Sequence, residues 1–452
     1  MTTVTLVYPY FHPSNDNSIF RFPPLGLGYI AAFLKSRDVS VELVDCTFKS
    51  LSSALEKIRR SHPRIIGIQV MFSMKEKALE LAKLLRGDCE LLVAGGPLPT
   101  SNPEDFLSSF DVVAIGEGEE TMLELVQALH DGNGLAKVKG VAFKEKGKTV
   151  VNPPRGYIKN LDGIPLPDRD MFDNQAYKSY YSKNFGYTTT SVITSRGCPF
   201  QCDFCSRPVF GNGFRSRTAP NIAEEVETVL RLGYERVWFA DDCFTISRKR
   251  LLNICDELLC RHINIGWECL SRVDTVDLEV AEKMKKSGCV RVFFGIESGN
   301  DAILEIMKKQ ITIKQARNAV YTCKKAGIQV GAFFILGYPG ETDRTILDTV
   351  NFASSLPLDY LSFTFPYPIP GTPLFERVKG SMISEEWKEP HSRRLIKHKL
   401  LFHSPFSESK LKFALFKGMT QHYLGKYSGK RIYSLVGKPY TNLTDDIYRI
   451  LN

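Results

Sequence analysis

Short, nearly all-apolar runs alternate with amphipathic ones along the first 130 residues. VTLVYPY, VELVDC, IIGIQVMF and ELLVAGGP read as strands, while LSSALEKIRRS and KEKALELAKLLRG read as helices. PLGLGYIAAFLKSRD reads as a helix opened by Pro24, and DVVAIGEGEETMLELVQALHDG as a last short strand with its helix. Strands apolar on both faces, each followed by an amphipathic crossover, predict a parallel sheet covered on both sides. Residues 138–152 read as a β-hairpin turning near Gly147, and LDGIPLPDRDMFD (161–173) as an ordered linker. A second strand–helix series begins at TTTSVITSRG and continues through VWFAD, IGWECLS, VRVFFGIES, QVGAFFILG and LSFTFPYP. Six such strands with helical crossovers predict a complete or partial (β/α) barrel with its chemistry at the C-terminal mouth. From about Glu376 the pattern turns mostly helical.

The expected fold class is therefore α/β. A Rossmann-like domain spans 1–137, a hairpin and ordered linker 138–185, a partial (β/α)6 barrel 186–376, and a small, mostly helical C-terminal region 377–452. Ligands on open parallel sheets bind at the carboxyl ends of the strands near the switch in strand order. In the first sheet those ends carry Met71-Phe72-Ser73, Gly95-Gly96-Pro97 and Gly116-Glu117-Gly118-Glu119. Glycine pairs let a ligand approach the backbone, and the helix after Gly118 offers free N–H groups. Any one such loop serves a tight turn equally well; three suitable loops at successive strand ends, two of them with paired glycines, point to a large ligand.

Composition narrows the picture little: 43% hydrophobic and 24% charged residues describe an ordinary globular chain. No apolar run approaches the roughly 20 residues of a membrane helix, and the N-terminus lacks a signal-peptide pattern. A cytoplasmic location and no membrane span are the expectations. The formal charge of +9 is uneven, for residues 379–452 hold 14 Lys or Arg against 6 Asp or Glu. Arg393, Arg394, Lys397, His398, Lys399 and His403 lie close together there, as a groove for a peptide or an acidic small molecule would require, or simply as a solvated surface.

The 11 cysteines change the picture more. An odd number in a chain without a secretion signal argues for metal or redox chemistry over a disulfide framework. Most lie singly within strand or helix patterns, but Cys198, Cys202 and Cys205 fall within eight residues of a strand-end loop, RGCPFQCDFC. A structural zinc site normally closes with four protein ligands, and the nearest other cysteine, Cys243, is far along the chain. Three thiolates on a four-iron cluster leave one iron open to a substrate or cofactor.

With this Cys-x-x-x-Cys-x-x-Cys loop the chain resembles the radical S-adenosylmethionine (SAM) superfamily. The resemblance implies a [4Fe–4S] cluster whose open iron chelates SAM, and cleavage of SAM by one electron to a 5′-deoxyadenosyl radical. It extends to the later strand ends, FADD (239–242), ECLSRVD (268–274), GIESG (295–299), GYPGET (337–342) and YPIPGTP (367–373). By that analogy Glu297 and Ser298 meet the ribose and Ser271 and Arg272 the methionyl end. Phe334, Ile335 and Gly337 contact the adenine, with Phe204 near it. For Glu297 and Arg272 a buried ion pair is the plain alternative.

PLGLGYIAAFL, GGPLPT, GEGEET and the 161–173 linker resemble the cobalamin-binding module fused to one large branch of that superfamily, so the likeness covers roughly residues 1–375. The resemblance implies a cobalamin held by Pro24, Leu25, Gly26, Met71, Phe72, Ser73, Gly95, Gly96, Pro97, Gly116, Glu117, Gly118 and Glu119. The mutase signature Asp-x-His-x-x-Gly is missing, and His12, His62 and His130 are not placed to ligate cobalt, so the cofactor is expected base-off and His-off. Family members often have histidine after Gly-Gly-Pro; here it is Leu98.

The implied activity is C-methylation: a deoxyadenosyl radical takes hydrogen from an unactivated carbon, which then captures a methyl group from methylcobalamin. Tyr367, Asp242 and Glu268 are the candidate catalytic side chains facing substrate. The partners expected are a substrate protein, peptide or small molecule and an external one-electron reductant, with no nucleic acid. Within the family the chain looks similar to the branch that methylates a glutamine carbon in methyl-coenzyme M reductase of methanogens. A cobalamin-binding cyclase or rearrangement enzyme is one alternative, and a non-catalytic cobalamin or iron–sulfur sensor is another.

Overall fold

The computed structural model describes residues 3–12, 17–384, 399–427 and 437–451. The chain divides into two compact units, Met1–Pro199 with Arg207–Trp238, and Phe200–Ser206 with Phe239–Asn452.

The first unit opens with β1 (Thr3–Tyr8), α1 (Leu25–Lys35), β2 (Ser40–Asp45), α2 (Leu51–Arg60), β3 (Ile65–Gln69) and α3 (Lys75–Leu84). It continues through β4 (Leu91–Gly95), α4 (Pro97–Ser101), β5 (Val112–Ala114), α5 (Gly118–Asp131) and the hairpin β6 (Val141–Glu145) and β7 (Lys148–Val151). The sheet order is β2-β1-β3-β4-β5-β6-β7. The first five strands run parallel, and the hairpin adds antiparallel to β5. The order reverses between β1 and β3, which makes their carboxyl ends the expected ligand crevice.

Alternation along the strands explains the layers. Leu6 and Ile65 join Leu27, Ala31 and Leu34 of α1 and Met122 and Leu125 of α5 in one apolar cluster. Their neighbours Val7 and Ile66 join Ala54 and Ile58 of α2 and Ala78 and Leu81 of α3 in another. Each strand thus buries both faces, as its uninterrupted apolar sequence requires. The hairpin turns on Lys146 and Gly147, both with positive φ, the pattern of a type I′ turn whose twist matches its strands.

The linker is ordered. Its helix α6 (Asn174–Phe185) is capped by Asp173, which accepts from the Ala176 N–H. Then follow β8 (Thr189–Val192), a two-stranded antiparallel ribbon of β9 (Ser195–Arg196) and β10 (Arg215–Ser216), α7 (Ala219–Arg231) and β11 (Arg236–Phe239).

The second unit carries α8 (Arg248–Cys260), β12 (Gly266–Ser271), α9 (Leu278–Lys286), β13 (Cys289–Glu297), α10 (Asp301–Ile306) and α11 (Ile313–Lys325). It ends with β14 (Gln329–Ile335), α12 (Asp343–Ser355), β15 (Tyr360–Thr364), α13 (Pro373–Val378), α14 (Glu408–Tyr427) and α15 (Lys438–Ile450). Strands β12 to β15 lie side by side in sequence order, all parallel. The sequence reading places strands at all four of these positions, and β8 and β11 of the first unit are the other two of its series. Among the described residues no helix is long and apolar enough to cross a membrane.

Candidate functional site

In the first unit, the loops after β3, β4 and β5 hold the predicted ligand residues. Met71 and Ser73 are exposed and Phe72 half-buried. Gly96 has φ +101°, and a Cβ there would stand 3.1 Å from the Val70 carbonyl, so only glycine lets the β4 loop lie so close to β3. Beside it, the buried Gln69 Oε1 at the end of β3 has no hydrogen-bond partner. A buried acceptor left unmatched costs about 1–3 kcal/mol, which a donor from a bound group would recover. Gly116, φ +85°, donates its N–H to Thr100 Oγ1 at 3.1 Å and has open space where a side chain would stand. Pro97 and Gly26 are exposed; Pro24 caps α1.

Three of these residues have other commitments. The Leu25 side chain packs with Tyr29, Phe33, Leu161 and Ile164 in a small core. Glu117 and Glu119 bury their carboxylates against Arg196, at 2.7 and 2.5 Å, and Glu117 also pairs with Arg215 at 2.9 Å. What the 116–119 turn leaves for a ligand is mainly its backbone. His12, in the loop after β1, accepts a hydrogen bond at Nε2 from Arg21 Nη1 at 2.8 Å. Arginine keeps its proton, so that nitrogen's lone pair is occupied.

Across the cysteine loop, Gly197 has φ +84°, and a Cβ there would collide with the Gly213 carbonyl and meet those of Phe210 and Gly211 at 2.9 and 3.0 Å. None of Cys198, Cys202 and Cys205 is in a disulfide; Cys202 is buried and Cys205 exposed. Among the described residues no three His, Cys, Asp or Glu side chains converge on one point to hold a single ion. A four-iron cluster makes no such demand, because each thiolate binds a different iron.

Within the second unit, Asp203 is fully buried; its carboxylate accepts from the Tyr338 hydroxyl and, at 2.5 Å, from Arg377. The Tyr338 phenol is pushed above its usual value by burial and by that carboxylate. Asp203 N–H also bonds the Met307 carbonyl, so the middle of the cysteine loop is pinned from two sides. Phe204 packs edge-on to Tyr338 and joins Ile335 and Tyr367 at one apolar cluster.

Glu297 and Lys309 form a buried pair at 2.9 Å. The Lys309 ammonium is pulled down by burial but held above its usual value overall by Glu297 and by Cys202. A cation near the Cys202 sulfur is what that sulfur would need as an anionic thiolate, so the loop fits a cluster. Lys309 also stands over the Phe204 ring, 5.8 Å from its centroid.

The other predicted SAM residues are held by their neighbours. Ser271 bonds Thr245 at 2.7 Å, and Arg272 pairs with Asp274 through two 2.9 Å bonds while covering the Phe200 ring. Ser298 is buried against Thr349. Phe334 is wholly in the core against Phe363, and Gly337, φ +86°, donates to Glu341. Glu268 is buried, 3.7 Å from Arg291, and Asp242 is exposed.

Sequence reasoning missed Lys309, Asp203 and Arg196. Lys309 follows Lys308 and reads like a surface residue, and nothing local tells which of the two turns inward.

Two family models match the chain: the B12 binding domain over residues 15–126 and the radical SAM superfamily over residues 192–353. The uncharacterized methyltransferase PH0819 of Pyrococcus horikoshii is 38% identical over 393 residues, covering 83% of this chain and 84% of that one. The chain belongs to the cobalamin-dependent radical SAM methyltransferase family. As a member it is an enzyme that uses a [4Fe–4S] cluster, SAM and cobalamin. The anaerobic magnesium-protoporphyrin IX monomethyl ester cyclase of Rubrivivax gelatinosus is 29% identical over 83% of this chain and 70% of its own length. Two solved structures share the fold at 20% identity. The radical SAM methyltransferase TsrM of Kitasatospora setae has a TM-score of 0.71 over 84% of this chain and 75% of its own. The cobalamin-dependent radical enzyme OxsB has 0.77 over 99% and 72%.

Proposed function

We propose that this enzyme methylates an unactivated carbon, and that its target is a glutamine in a protein such as methyl-coenzyme M reductase. The observation that carries the methyl-transfer reading is the likeness to the methyltransferase relative of Pyrococcus horikoshii, 38% identical over 84% of that protein's length. The hydrogen bond from Arg21 engages Nε2 of His12, one of the two ring nitrogens of the histidine in the loop after β1, which supports a corrinoid held without that nitrogen as a ligand. The protein target rests on the overall likeness to the glutamine-methylating branch.

When bound, SAM supplies a 5′-deoxyadenosyl radical and the corrinoid supplies the methyl group. The chain's part is to hold and to exclude. Cys198, Cys202 and Cys205 would hold the cluster, with Lys309 balancing charge at Cys202 and Asp203 fixing the loop through Tyr338 and Arg377. The apolar group of Phe204, Ile335, Tyr338 and Tyr367 would keep water from that side. Gly95, Gly96, Gly116 and Gln69 would receive the corrinoid by backbone approach and an unmatched carbonyl oxygen. Tyr367, Asp242 and Glu268 are the side chains we assign to the substrate side, and an external one-electron donor must reach the cluster. The basic residues Arg393, Arg394, Lys397 and His398, read as a docking groove, lie outside the described residues; Lys399 and His403 lie within them.

Anaerobic reconstitution with iron, sulfide and cobalamin tests the reading. About four irons and one cobalt per chain are expected, with a cob(II)alamin EPR spectrum free of nitrogen splitting from a lower base. Incubation of glutamine-containing peptides with methyl-deuterated SAM should then place the label in product. Iron without cobalt would sink methyl transfer from a corrinoid. A product that is cyclised and carries no label would favour a ring-forming reaction, the reading that the cyclase relative supports.

A further inference from the structure

Arg196 occupies a position whose consequence goes beyond holding the fold. Its guanidinium spans two carboxylates of the β5–α5 turn, Glu117 at 2.7 Å and Glu119 at 2.5 Å, and all three side chains are at least nine-tenths buried. Arg215 adds a second cation to Glu117, so the group balances at two charges of each sign. The Ile158 N–H donates to Glu117 Oε2 at 2.7 Å, so a movement of the turn would be felt by several partners at once.

The other side of Arg196 is the start of the cysteine loop. Two residues on stands Cys198, and the residue between them is the sterically walled Gly197. Cys198 is itself tied at both backbone groups: its N–H reaches the Gly211 carbonyl at 3.4 Å, and its carbonyl accepts from Arg207 at 3.0 Å. Arg215 also bonds the Phe210 carbonyl at 3.2 Å, and the Arg196 guanidinium lies 5.1 Å from the Phe210 ring centroid. Between the Gly116–Glu119 turn and the Cys198 backbone there is therefore a short chain of charged, hydrogen-bonded and ring contacts. Buried ion pairs contribute little net stability, and their best-attested use is to fix register between elements.

We propose that Arg196 is a positioning residue that links occupancy of the corrinoid turn to the placement of Cys198, so that cobalamin and the cluster each favour the other's binding. The linkage rests on the reading that the 116–119 turn receives part of the corrinoid. It requires that a ligand pressing on the turn's backbone shift Glu117 and Glu119, and that Arg196 carry the shift to the Cys198 end of the loop. Because the linkage is one of binding equilibria, it must be reciprocal.

Cobalamin affinity would be measured by absorption titration on the full-length chain, once with the cluster reconstituted and once after iron chelation. The wild type should bind cobalamin at least about fivefold more tightly with the cluster present. The variant pair Arg196→Gln with Glu119→Gln removes one charge of each sign and leaves Glu117 matched by Arg215. It should fold by circular dichroism, bind both cofactors, and show a ratio near one. Arg155→Gln is the control. Arg155 pairs with Glu120 and Glu124 on the same helix but has no bond to the cysteine loop, so its ratio should equal that of the wild type.

A wild-type ratio of one, or an unchanged ratio in the double variant, overturns the linkage while leaving the corrinoid reading intact. A chain that takes up no cobalamin overturns both.

Discussion

Glu297 holds Lys309 at 2.9 Å from a backbone with φ +71°, a conformation that non-glycine residues rarely adopt. The register of β13 against β14 slips at this point, and a Cβ at Gly295 would push on the Glu297 carboxylate and the Lys309 ammonium, so glycine leaves room for the pair. Strain of this kind persists where surrounding structure over-determines it, and it clusters at ligand sites. The pair consumes Glu297 Oε1, and Oε2 is the oxygen we assign to the ribose.

Two substitutions separate these roles. Glu297→Gln keeps an acceptor for Lys309 but leaves a buried ammonium without its counter-charge, so it should cost about 3–5 kcal/mol of stability. SAM affinity should fall about tenfold as well, a loss of ~1.4 kcal/mol. Lys309→Met strands a buried carboxylate and should cost about 3–5 kcal/mol of stability. Equilibrium dialysis with SAM and urea unfolding would show both. Equal SAM affinity in wild type and Glu297→Gln would remove the ribose assignment.

Gly197→Ala tests the cysteine loop without touching a ligand. A Cβ has no room against the Gly213 carbonyl, and the backbone's left-handed turn penalises it further. The variant should lose most of its iron on reconstitution. Its N-terminal sheet is untouched, so cobalamin uptake should persist at reduced affinity. Full iron content would mean that the loop relaxes around the methyl group.

Much of this was legible in the sequence because the signals are local. The doubly covered sheet follows from Ile65 and Ile66, neighbours that bury against different helices. The cysteine loop follows from spacing alone. What stayed hidden depends on partners distant in sequence. Arg196 meets Glu117 and Glu119 across 79 and 77 residues, and no local pattern marks a buried arginine. Leu25, read as a ligand residue from its place in a family segment, buries its side chain in a small core whose other members are distant in sequence, among them Leu161 and Ile164. The hairpin's turn was readable at Gly147, but its attachment to β5 was not, because edge pairing leaves little trace in side-chain pattern.

Glu341 should give the chain a pH-dependent stability of its own. Burial pushes its carboxyl up to about 8, against the lowering effect of the Tyr338 and Gly337 N–H groups that it accepts. Its folded form therefore holds a proton that the unfolded chain releases near 4.5. Between those values the native state binds more protons, so stability falls as pH rises from about 4.5 to 8. Glu341→Gln should remove that slope while keeping the acceptor oxygen. Thermal melts of both proteins at pH 5, 6.5 and 8 would check it, with a variant that gains on the wild type as pH rises. Parallel curves would mean that Glu341 titrates normally.

Glu225 should show the opposite sign. Its carboxylate is fully buried, which alone would raise its pKa, but Arg169 and Arg217 outweigh burial and hold it below the usual range. The Tyr29 hydroxyl adds a hydrogen bond at 3.1 Å. A depressed folded pKa contributes stability above the unfolded value of 4.5 and loses it as pH falls through the folded value. Glu225→Gln leaves two buried guanidinium groups without their counter-charge, at a cost of about 3–5 kcal/mol near neutral pH. Acid protonates the wild-type carboxylate and removes the same charge, so the gap between wild type and variant should narrow steadily below pH 4.5. Urea unfolding at pH 7 and at successively lower pH would measure it. A gap that stays constant with pH would mean that Gln is penalised for its shape alone, and that the Arg169–Glu225–Arg217 group is not held together by charge.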